Sequence, residues 1–157
     1  MADVTAILKP APAENSFQSP VRTDVVVLDF DATGIVDVAD QTGTHNIYNI
    51  AAGEVLLPSY AIVHTLCVST SNTGTIQFSM GDALSAAYTA DATELAAGDV
   101  IQFGANDLED TAGLASYRTA ADTLDIIIAT NDFTAGKIVL VLNVLDVAAV
   151  LAQGKIK

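Results

Sequence analysis

YRTAADTLDIIIATNDFTAGKIVLVLNVLDV, residues 117–147, contains two apolar runs rich in β-branched side chains, Leu124 to Ala129 and Ile138 to Val147. Between them stand Asn131, Asp132, Thr134 and Gly136. Branched apolar side chains fit a pleated, half-buried surface, and short clusters of Asn, Asp and Gly mark turns, so the stretch reads as a β-hairpin. Asn131 and Asp132 can hydrogen-bond their own backbone, and Gly136 can take the positive φ that a bulged or longer loop needs. No reaction chemistry is visible in it.

The rest of the chain repeats this grammar. DVVVLDF (24–30) predicts a first strand, followed by the DATG turn and a short strand at Ile35 to Val38. THNIYNI (44–50) alternates well enough for a half-buried strand, and GEVLLPSY follows as a loop through Pro58. YAIVHTLCVST (60–70) predicts a long strand with Ile62, His64, Leu66 and Val68 on one parity and Ala61, Val63, Thr65, Cys67 and Ser69 on the other, both at least partly buried. SNTG (71–74) predicts a hairpin into Thr75 to Met80, whose Ile76, Phe78 and Met80 form a core face at a period of two. Residues 81–98 read as an irregular crossing with one helical turn, and Asp99 to Phe103 as a short strand before an acidic loop to Ala115. The expected fold is therefore an all-β, antiparallel β-sandwich, jelly-roll-like, of roughly eight strands. Residues 1–23 form an extended N-terminal arm, 24–147 the sandwich and 148–157 a C-terminal tail or short helix.

Composition bounds the function. A chain of 157 residues accommodates one domain with a substantial core. Mean hydropathy is +0.44, yet no apolar run approaches the ~20 residues of a membrane helix. The opening MADVTAILKPAPAENSF lacks the apolar segment of a secretory signal and predicts use without export by that route. Nineteen acidic against six basic residues give a net charge of −13, which argues against nucleic acid or an anionic membrane as partner. Between Thr23 and Gly136 the only basic side chain is Arg118, so the body is acidic and the ends mildly basic. Pro10, Pro12 and Pro20 keep the arm extended, and Lys9, Phe17 and Arg22 are its candidate partner-binding residues.

Candidate chemistry is thin. VVVLDFDATGIV matches the first motif of the haloacid dehalogenase superfamily, with Asp29 as phosphoryl acceptor, Asp31 as acid/base and Thr33 completing the pattern. That core requires helices on both faces of a parallel sheet, which the chain does not offer. The same loop begins like a calcium loop at Asp29, Asp31, Thr33 and Gly34, with Asp40 at the twelfth position, but its flanks are β-like. Asn106, Asp107, Glu109 and Asp110 gather hard oxygen ligands, and an exposed acidic loop explains them without a metal. Cys67 can form no intramolecular disulfide and reads as a small packing residue; His64, three positions away on one strand, points to the opposite face and is read as a core or interface histidine. No catalytic residue, cofactor or metal is expected.

From His45 to Val147 the order of NIYNIAAGEVLLPSYAIVHTLCVST, TGTIQFSMGD and YRTAADTLDIIIATNDFTAGKIVLVLNVLD resembles a group of β-domain proteins of tailed-bacteriophage structural modules, including capsid decoration (cement) proteins. The features that carry it are the Gly81-Asp82 pair after a strand, the Tyr117-x-x-Ala-Asp-Thr-Leu lead-in and the Thr134-Ala-Gly-Lys turn. These motifs are structural, and residues 1–22 and the DFDATG segment lie outside them. The resemblance implies a non-enzymatic virion protein assembled in the host cytoplasm. It would bind the major capsid protein on the outside of the shell as a homo-oligomer on a symmetry axis; such proteins look like trimers or dimers, and a trimer is expected here. Related domains in tail and fibre proteins imply an alternative, a tail or fibre subunit that binds glycans.

Overall fold

Apolar side chains at alternate positions give a strand one wet and one dry face, and two such sheets bury their dry faces against each other. The computed structural model describes residues 20–30, 42–80, 83–84, 87–91, 94–103 and 120–153. In chain order the strands are β1 (Val21–Asp29), β2 (Gly43–Ile50), β3 (Glu54–Leu56), β4 (Ser59–Ser69), β5 (Thr75–Met80), β6 (Ala83–Leu84), β7 (Tyr88–Thr89), β8 (Val100–Phe103), β9 (Asp122–Ala129) and β10 (Phe133–Asp146). A short helix α1 (Val147–Gln153) follows. One sheet has the order β1-β10-β4-β8, with β3 also on β10; the other runs β2-β9-β5-β6, with β7 also on β5. Every pairing is antiparallel. The nested pairs β1 with β10, β2 with β9, β4 with β8, and β5 with β6 and β7 are jelly-roll winding. The first strand begins at Val21, inside the stretch assigned to the arm.

That winding corrects two expectations. β9 and β10 do not pair: β9 lies between β2 and β5, and β10 between β1 and β4, so residues 130–132 form a corner that carries the chain from one sheet to the other. The β4–β5 connection is likewise a corner, built on a 3₁₀ turn at Thr70–Asn72. A hairpin and a sandwich corner use the same Asn, Asp, Ser and Gly residues, so turn chemistry alone did not separate them. The two corners are stapled together. Thr70 N donates to Asp132 O at 3.1 Å, and Asn131 Nδ2 to Thr73 Oγ1 at 2.5 Å. Thr130 bends the second corner at φ 71°, a conformation that a β-branched residue adopts only under local constraint.

The core between the sheets contains Ile76, Phe78 and Met80 of β5, as the period of two predicts, together with Leu124, Ile126 and Ile128 of β9 and Ile138, Leu140, Leu142 and Val144 of β10. Each such side chain contributes about 1.5–3 kcal/mol by leaving water. Phe133 closes one end, its ring centroid 4.9 Å from that of Phe30. Gly136 acts within β10 rather than in the turn. At φ +126° it lies against β4, where an added Cβ would fall 2.6 Å from Cys67 Cα, and the β10–β4 register shifts on either side of it. Cys67 is fully buried, as expected of a packing residue.

Candidate assembly surface

An antiparallel sandwich normally turns polar side chains outward. The β2-β9-β5 sheet obeys, presenting Thr44 and Asn46 beside Thr123 and Asp125, and Thr75 and Gln77 beyond them, with Ile127 and Ala129 as the apolar exceptions. The β1-β10-β4-β8 sheet does not. Across its outer surface one cross-strand row is Val27, Val139, Ile62 and Val100, and the next is Val25, Val141, Tyr60 and Gln102. Near the other end Leu145 of β10 stands opposite Val55 of β3. Tyr60 (37% exposed), Ile62 (36%), Leu66 (37%) and Val100 (59%) open directly to solvent on this face.

Charge on the face cancels locally. Asp29 and Lys137 stand opposite each other in the β1–β10 register, with Nζ 2.8 Å from Oδ2. Thr23 and Asn143, the next polar row, bond side chain to side chain at 2.8 Å. The surface is therefore neutral and largely apolar on a chain of net charge −13.

Four strands spaced ~4.8 Å apart and the ~20 Å covered by six residues of strand give a footprint of about 400 Å². That is about the size of the largest apolar patch on an ordinary monomer, and such patches are often functional. Nothing in the arrangement activates a bond. It offers area, shape and the absence of charge.

The root of β1 is held by a buried polar clasp. Arg22 and Asp24 share the inward parity with Val26 and Leu28, so both side chains reach the end of the core. Arg22 Nε donates to Asp24 Oδ2 at 2.9 Å, its Nη2 to the Tyr48 hydroxyl at 2.9 Å and its Nη1 to Glu54 Oε1. The Tyr48 hydroxyl donates in turn to Asp24 Oδ2, and Ala51 N to Glu54 Oε2 at 2.8 Å. Tyr48 reaches this position through a register shift in β2 that turns both Ile47 and Tyr48 inward. Burial first, then the bond to Asp24, pushes the Tyr48 hydroxyl up to about 12. The bond to Glu54 is the largest influence on Arg22 and raises its affinity for the proton further. The clasp joins β1 and β3 of one sheet to β2 of the other.

Among the sequence-predicted partner residues, Arg22 is thus committed to Asp24, Tyr48 and Glu54 of its own chain, while Lys9 and Phe17 lie outside the described residues. Asp31, Thr33, Gly34 and Asp40, the proposed strand at 35–38 and the cluster at 106–110 also lie outside them. Asp29 faces Lys137 on an antiparallel sheet, so the parallel, helix-flanked core that a haloacid dehalogenase needs is not this fold. Of the two places expected for His64, core or interface, the core is excluded: with Ile62 and Leu66 it is exposed on this outer face, and its Nδ1 lies 3.2 Å from Thr65 Oγ1.

Among the described residues no group of three or more His, Cys, Asp or Glu side chains could hold a metal ion, and no helix is long and apolar enough to cross a membrane. An open depression lined by Asn49, Ile50, Ala51, Ala121, Asp122 and Thr123 gathers no constellation of nucleophile and base. The residues that sequence reasoning missed are Tyr60, Ile62, Leu66 and Val100. For the three in β4 the signal was present: both parities of 60–70 are rich in apolar residues, although only one can face the core of a two-layer sandwich.

No family model and no curated protein matches this chain. Among solved structures it is similar to a chain of the capsid of Ralstonia phage GP4, at 15% identity and a TM-score of 0.46, over 88% of this chain and 90% of that one. A likeness of that degree carries no argument.

Proposed function

We propose that the protein is a structural virion component, a phage capsid decoration protein. It binds the outside of the shell as a homo-oligomer and stabilises the shell by bridging capsomers. The observation that carries this reading is the neutral, apolar outer face of the β1-β10-β4-β8 sheet, where Tyr60, Ile62, Leu66 and Val100 are exposed together and a protein partner would cover them. The resemblance of residues 46–70, 73–82 and 117–146 to decoration proteins supports the same reading. Pro20, to which the proposed arm is joined, is itself held on the sandwich: Asp146 N donates to Pro20 O at 2.8 Å.

In this mechanism apolar and hydrogen-bonding surface is buried between subunits, and residues 1–19 strap the sandwich to a neighbour. Association gives up the arm's conformational freedom in return for contact area. Co-sedimentation of the purified protein with undecorated shells tests it. Saturable binding is expected, weakened when residues 1–19 are deleted. Undiminished binding of the truncated chain would remove the strap, and no binding by the full chain, or labelled protein found on the tail, would remove the capsid role.

A further inference from the structure

We infer that the outer face of the β1-β10-β4-β8 sheet is a two-fold contact between copies of this chain, packed sheet to sheet. This deepens the decoration reading and rests on it only for the setting. The first argument is charge. Two bodies of net charge −13 repel, and contact between them is least opposed where each surface is neutral. This face qualifies because Asp29 and Lys137 neutralise each other and the rows beside them carry no charge. A basic partner would be drawn to the acidic surfaces instead and would gain no attraction here. The partner that fits is itself neutral, apolar and pleated, and every copy carries such a face.

The second argument is shape. The row Val27, Val139, Ile62, Val100 crosses all four strands. A two-fold axis lying in the plane between two copies, over the β10–β4 boundary, lays that row against its own image. Two apolar sheet faces then interleave ~10 Å apart, the geometry of the sandwich's own core. The footprint of about 400 Å² is below the ~800 Å² per partner of a standard interface. The contact is accordingly modest in affinity and is reinforced when copies are held side by side on a lattice.

Sedimentation equilibrium of the full chain at about 100 µM, a concentration suited to a small interface, tests the inference. The expected mass is twice 16.2 kDa, falling to one chain in Ile62→Glu and in Val100→Glu. Both positions are exposed, so both variants are expected to fold, and an unchanged thermal midpoint at high dilution checks that. A monomeric native chain, a trimeric mass, or a dimer that persists in both variants would overturn the inference. A native monomer that dimerises once residues 1–19 are deleted would also overturn it, because the chain's own arm would then be the cover. Shell binding by a monomeric Ile62→Glu chain would leave the decoration role standing, whereas a native dimer that binds no shell would fail that role and leave this contact intact.

Discussion

Asp24 is the most demanding side chain in the structure: a fully buried carboxylate whose Oδ2 is served by Arg22 and Tyr48 while Oδ1 has no partner. Removing one member of such a cluster strands the others away from water, so Arg22→Ala is expected to lower unfolding free energy by about 3 kcal/mol, read from denaturant midpoints. A variant as stable as the native chain would show that Arg22 is free to serve a partner instead. Tyr48 gives the cluster a signature in pH. Its hydroxyl is raised to about 12 from an ordinary value near 10, so the folded state holds that proton more tightly than the unfolded one. The stabilisation is complete below about pH 10 and is lost as pH climbs through 12, about 3 kcal/mol in all. Native stability should fall across that window more steeply than that of Tyr48→Phe; parallel curves would refute the coupling. None of this was legible beforehand. The register shift that turns Tyr48 inward leaves no trace in periodicity, and Arg22 reads in sequence as a partner-binding residue of the arm because sequence does not say which acid it meets.

Strands were legible wherever one parity was apolar and the other polar, as in Thr75–Met80, where the buried set is Ile76, Phe78 and Met80. Partners were not. Pairing in a jelly roll joins strands far apart in the chain, β1 with β10 and β2 with β9, and nothing in a local window encodes that. Local turn chemistry therefore reads the corner after β9 as a hairpin, and Gly136 as a turn residue. Its actual place, in the close approach of β10 to β4, makes it intolerant of a side chain. Gly136→Ala would drive a Cβ to 2.6 Å from Cys67 Cα and force a left-handed backbone on alanine. The expected loss is about 3 kcal/mol, measured by thermal or denaturant unfolding, since backbone rather than a flexible side chain must give way. An unaffected midpoint would mean that the strand register there is wrong.

One layer of the sandwich faces water as such sheets usually do, and the other presents valine, isoleucine and tyrosine to it, the face proposed above as a contact. In YAIVHTLCVST both parities read as at least partly buried because both are rich in apolar residues; the sandwich buries one and leaves Tyr60, Ile62 and Leu66 of the other exposed. Association through a neutral face between acidic bodies has a diagnostic response to ions. Raising sodium chloride from about 50 to about 500 mM shortens the reach of the repulsion several-fold and should tighten self-association, followed by sedimentation; weakening would point to charge pairing instead. The most direct test is a reconstruction of decorated shells at a resolution that traces this chain. It should show the sandwich outside the shell with Ile62 and Val100 covered by protein. A sandwich located in the tail, or seated on the shell with those two side chains open to solvent, would contradict the account.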